Sequence, residues 1–237
     1  MDSVVEQDLQ LPPAAAAFTA ANGIDWPHLN VGHVRELAAA VRDFAVSMQG
    51  TNDEMGLVVH QVVALFGGGP AGRQVLESWE QWTVEHIEEL VFRCRVAAQA
   101  VDACAEYYIE HASSAIARLT TTALEHAAAD DPDRAAELAA AGHQEAADLT
   151  EAVMSFMRTY LIGKAIEPLE EAVNRLVDGA GWHLGWHEMT TSGDAHPGAR
   201  ANTAEILRMA DVMDGLADAT LRHAAEFSRR AGALSFQ

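Results

Sequence analysis

A chain of 237 residues that is 49% hydrophobic can bury a substantial core, but with only 6% aromatic content it must do so through long contacts between small side chains. Its 35 acidic and 15 basic residues give a formal net charge of -20, which repels phosphate backbones and anionic headgroups and so excludes nucleic acid and acidic membranes as expected partners. No apolar run approaches the ~20 residues that a membrane-spanning helix needs, and Met1–Gln10 has neither the basic nor the apolar region of a Sec signal peptide.

Residues 1–30 read as an irregular arm. Leu11-Pro12-Pro13 cannot lie inside a helix, and Asn22-Gly23 is a turn signal. Ile24-Asp25-Trp26-Pro27 then brings two large apolar residues that are expected to dock on the body of the protein, and Asn30 is placed to cap the first long helix. That helix is predicted from about Val31 to Phe66. Leu37, Val41, Phe44 and Met48 form its apolar stripe, and Val58, Val62 and Leu65 continue it beyond Gly50-Thr51-Asn52-Asp53, where a kink or break is expected.

Gly67-Gly68-Gly69-Pro70 stops the helix. A second helix starts near Ala71 and meets no breaker between Gly72 and Pro132, a length of roughly 80 Å if unbroken. Its stripe runs from Val75, Trp79 and Trp82 to Tyr108, Ile116 and Leu119, so residues 31–130 form a long antiparallel hairpin. Asp130-Asp131-Pro132-Asp133 carries the acidic cap and first-turn proline of a third helix, predicted to about Val177 with a kink at Gly163 and Pro168. A loop at 179–198 leads to a fourth helix from Asn202 to Ala233, with Ile206, Met209, Val212, Met213, Leu216, Leu221 and Phe227 facing inward. Strand-like alternation is absent. The fold class is all-α: an elongated antiparallel bundle built on the hairpin, with two further helices in 131–237 packing on it.

Catalytic chemistry finds little footing. His183 and His187, spaced to share one helix face, are the best metal candidates, with Asp194 or His196 as a third ligand. Glu188 follows the second histidine, so the order is not that of a metalloprotease, and Gly181 and Gly185 argue for a tryptophan-anchored loop instead. Glu85-His86, Glu110-His111 and Glu125-His126 are adjacent pairs pointing about 100° apart on a helix, whereas di-iron bundles need Glu-x-x-His. The glycine turn lacks the Lys-Ser/Thr of a phosphate loop. Cys94 and Cys104 sit about 15 Å apart on one helix, beyond disulfide reach, and read as buried small apolar residues. No cofactor is expected.

Trp79-Glu80-Gln81-Trp82 places two indoles within one turn, more bulk than an alanine seam requires. They plug the place where the hairpin tip meets another helix, or they form a docking surface for a second chain.

Together, Ile24-Asp25-Trp26-Pro27, the helix opening Val34-Arg35-Glu36-Leu37-Ala38-Ala39-Ala40, the glycine-rich turn and a second helix with Trp79 and Trp82 near its start resemble the helical-hairpin superfamily of type VII secretion substrates, the WXG/Esx type. More narrowly they are similar to the N-terminal helical domain of actinobacterial channel–toxin (CpnT-like) proteins. The likeness covers residues 11–130 and, more loosely, the last helix. The naming Trp-x-Gly is replaced by Phe66-Gly67-Gly68-Gly69, and the export signal Tyr-x-x-x-Asp/Glu is missing, since Tyr107, Tyr108 and Tyr160 are followed by His111, Ala112 and Lys164. No toxin domain is expected after helix four, so the resemblance does not carry a channel–toxin activity over to this sequence.

The resemblance implies a non-enzymatic protein, made in the cytoplasm and either exported by a type VII route with a partner supplying the signal or not exported at all. It would pair its helices with another chain through Trp79 and Trp82, with Trp26 and Phe66. Two other readings stand beside it: a homo-oligomeric scaffold built through the same helices, and a small metal enzyme using His183 and His187.

Overall fold

In a computed structural model, residues 9–65, 69–178 and 203–234 are described. Their elements are α1 (Pro13–Asn22), α2 (Val31–Leu65), α3 (Pro70–Trp82), a π-helical stretch (Thr83–Glu88), α4 (Glu89–Ala127), α5 (Pro132–Phe156), a second π stretch (Met157–Ile166), α6 (Glu167–Asp178) and α7 (Thr203–Gly232). The fold is all-α, and no strand occurs among the described residues. No helix there is long and apolar enough to cross a membrane.

The chain divides into two compact units, one of Met1–Ala38, Gln99–Lys164 and Leu234–Gln237, the other of Ala39–Ala98 and Ala165–Ala233. This differs from a division at residue 130, because both arms of the hairpin contribute to each unit and α5 belongs with the first while α6 and α7 belong with the second.

The arm is not irregular throughout. Pro12 caps and Pro13 opens α1, where a missing N–H costs nothing, and the alanines that follow are strong helix formers. Gly23 ends α1 at φ 64°, a left-handed conformation that glycine adopts without strain. Phe18 of α1 and Ile24 then pack on Leu119, Ala123 and Ala146. Gly142 of α5 accommodates them: a Cβ there would lie 2.6 Å from Phe18 and 2.7 Å from Ile24.

A second cluster in this unit joins Val31, Val34 and Ala38 of α2 to Val101, Ala105 and Tyr108 of α4 and to Leu149 of α5. Both predicted caps are present. The Asn30 side chain accepts from His33 N–H at 3.0 Å, and the Asp131 side chain accepts from Asp133 N–H at 3.0 Å.

In the second unit α2 runs unbroken through Gly50–Asp53, where packing along the helix outweighs the ~1 kcal/mol glycine penalty. Val59 packs against Val75 and Trp79, which fixes an antiparallel register between α2 and α3. The third predicted helix does loosen near Gly163 and Pro168. Proline supplies no N–H to the turn before it, and the backbone there widens into the second π stretch.

Candidate interaction seam

The second unit is organised by a seam between α2 and α7. On α2, apolar or buried positions recur at steps of four and three residues: Phe44, Thr51, Val58 and Leu65 form one line, with Met48, Met55 and Val62 between them. On α7 the less exposed positions Met209, Leu216, His223 and Arg230 follow the same rule, with Met213, Thr220 and Phe227 between. A strict seven-residue repeat on two helices is the pattern of coiled-coil pairing.

The contacts give direction and register. Met209, Met213 and Leu216 pack with Val58, Val62 and Leu65. Further along, His223 Nε2 and Thr51 Oγ1 are 3.1 Å apart, and the Phe227 and Phe44 rings stack at 5.3 Å. Arg230 then bonds the Asp43 carboxylate at 2.7 Å. As α7 residues ascend, their α2 partners descend, so the helices are antiparallel.

The seam is lightly buried on the α7 side. Of the α7 side chains described, only Met209 falls to 5% exposure, while Val212 and Leu221, expected to face inward, are 41% and 69% exposed. The cause is the period: the stripe follows 3.5 residues per turn, and Val212 and Leu221 fall off it. The side chain of Ile206 lies outside the described residues. Burying Met209 contributes ~1.5–3 kcal/mol, the ring stack about 1 and the partly exposed ion pair up to about 1, a total on the scale of local opening.

Thr51, Asn52 and Thr83 are buried polar residues in this unit, and Thr51 sits on the seam. Asn52, its neighbour, points about 100° away around α2. Asn52 Oδ1, Thr83 Oγ1 and His86 Nδ1 are all enclosed without a hydrogen bond among the described residues.

Trp79 is 4% exposed, packed on Val59 and Val75 with Met213 of α7 beside it, and its indole nitrogen would lie 3.7 Å from a Cβ added at Gly56. It is the plug at the hairpin tip and offers no surface to a second chain in this conformation. Trp82 is half-buried, its ring 5.5 Å from that of Trp79 and 5.6 Å from that of His86. Trp26, also half-buried, packs within the first unit. Phe66, His183 and His187 lie outside the described residues, as do Asp194 and His196. Among the described residues no three His, Cys, Asp or Glu side chains are grouped to hold a metal ion.

Both cysteines are buried and unbonded, and burial pushes the Cys94 thiol up to about 11. Tyr108 carries more than its place in an apolar stripe suggested. Its hydroxyl accepts from Leu29 N–H at 3.2 Å and donates to Pro27 C=O at 3.1 Å, tying the Trp26 segment to α4. The extended Trp26-Pro27 backbone, with no ladder to satisfy it, was the available signal for such a latch.

No family model, curated protein or solved structure matches this chain.

Proposed function

We propose that this chain is a non-enzymatic helical protein related to type VII secretion substrates, acting as a secreted effector or delivery module by pairing its helices with another chain. The observation that supports it best is the matched heptad pattern of α2 and α7, a recognition device that works between helices of one chain or of two. Large apolar side chains left outside the same unit add to it. Val46 and Leu57 of α2 are 68% and 65% exposed, Phe92 of α4 is 53% exposed, and the eleven-residue spacing of Val46 and Leu57 puts both on one face. Under this reading the partner carries the Tyr-x-x-x-Asp/Glu export signal.

The test is the absolute mass of the purified protein, alone and mixed with the small helical proteins encoded beside it. A stable mixed complex is expected, weakened roughly tenfold or more by Phe92→Asp or Leu57→Asp with the melting temperature unchanged. A closed homo-oligomer indifferent to those proteins would remove the partner reading and favour a self-assembling scaffold.

A further inference from the structure

We propose that the α2 face lined by Phe44, Thr51, Val58 and Leu65 is a docking surface for a partner's amphipathic helix, and that α7 covers it in cis until that helix displaces it. The inference rests on the helix-pairing reading and identifies the face and the chemistry of what it takes.

The face already seats a helix, so its complement can be read from α7. The occupant needs methionine or leucine at steps of four and three residues to meet Val58, Val62 and Leu65. Methionine side chains adapt to more than one surface, which suits a site that exchanges occupants. Two turns further along it needs a side chain that can hydrogen-bond Thr51, as His223 does at 3.1 Å. A polar pair within an apolar heptad seam penalises every other register, so it selects among helices.

Toward its C-terminal end the occupant needs an aromatic ring for Phe44 and a cation for Asp43, the roles of Phe227 and Arg230. Because the Arg230–Asp43 pair stands at one end of the seam, a cation in that place favours the antiparallel direction over the parallel one. Displacement is feasible because α7 commits only Met209 fully to burial among its described side chains, and its remaining stripe stays partly open to solvent.

A cis helix acts as an intramolecular competitor, and apparent affinity for a trans helix falls by the fraction of time the face is covered. The probe is a fluorescently labelled synthetic peptide of residues 203–232, titrated into the full chain. Its anisotropy should report binding at least about tenfold tighter to a Met209→Asp chain than to the unaltered one, since removing the cover removes that tax. Phe227→Ala with Arg230→Ala loosens α7 from its other end, leaves every apolar contact at Met209 in place, and should act in the same direction.

A peptide carrying Arg230→Glu should bind either loosened chain several-fold more weakly. Failure of both variants to gain peptide binding would overturn the proposal, and so would indifference to Arg230→Glu. If the loosened chain dimerises, dissolution of the dimer by excess peptide supports a helix-accepting face, and a dimer that resists the peptide counts against it. A chain that accepts the peptide yet forms no mixed complex keeps the face and loses the secretion-partner reading. A mixed complex that forms without releasing α7 keeps the partner and refutes the displacement.

Discussion

A buried hydroxyl that satisfies two backbone groups at once is costly to lose. Tyr108 is 2% exposed and serves Leu29 N–H and Pro27 C=O together. Tyr108→Phe keeps the ring and strands both groups, so urea unfolding should show a loss of about 1–3 kcal/mol. Cys94 makes the opposite demand, because the fold accepts only its neutral form. Its pKa rises from 9.0 to about 11 on burial, so its contribution is intact below pH 9 and drains away as pH climbs to 11. Unfolding curves between pH 8 and 11 should fall less steeply in Cys94→Ala, the difference growing to at most about 3 kcal/mol. Burial raises Cys104 and Tyr108 as well, and their share of the alkaline loss remains in both proteins. Trp79 packs with Val59 and Val75 at 4% exposure, the arrangement of the plug among the two readings open to it.

At the scale of elements, the Thr51–His223 pair trades stability for register. Removing both partners with Thr51→Val and His223→Leu should leave the protein at least as stable as the parent, since the seam becomes wholly apolar. His223→Leu alone leaves a buried hydroxyl without its partner and should cost about 1 kcal/mol or more; a double-mutant cycle measures the coupling, and strict additivity would deny it. Much of the helical layout was legible. Asn30 and Asp131 are caps whose chemistry is local, and Pro70 and Pro132 open helices for local reasons. Residues 13–22 read as irregular in the sequence because proline breaks a helix interior, but proline at the first position of an alanine run begins a helix. The Gly50–Asp53 break failed for the converse reason: tertiary contacts on both sides of Thr51 and Asn52 outweigh a local glycine. The interaction seam was half visible. Phe44, Val58, Val62 and Leu65 stand out as apolar, but the polar Thr51 and His223 interrupt the hydrophobic repeat, and only their pairing reveals a single stripe.

Across the whole molecule, two units share a hairpin whose arms pass through both, so a boundary drawn where one helix ends and the next begins could not find them. Composition predicted the all-α class because alanine both favours helix and permits close approach, and it was silent on which helix meets which. That pairing has a consequence in time. The α2 stripe is synthesised well over a hundred residues before the α7 stripe. At about 5–20 residues per second, a ribosome leaves the earlier stripe uncovered for roughly ten seconds or longer before its intramolecular cover exists. Closing so long a loop is also entropically late in folding. A partner present at the site of translation therefore meets the hairpin before any competitor does, and the order of synthesis itself favours assembly between chains over closure within one.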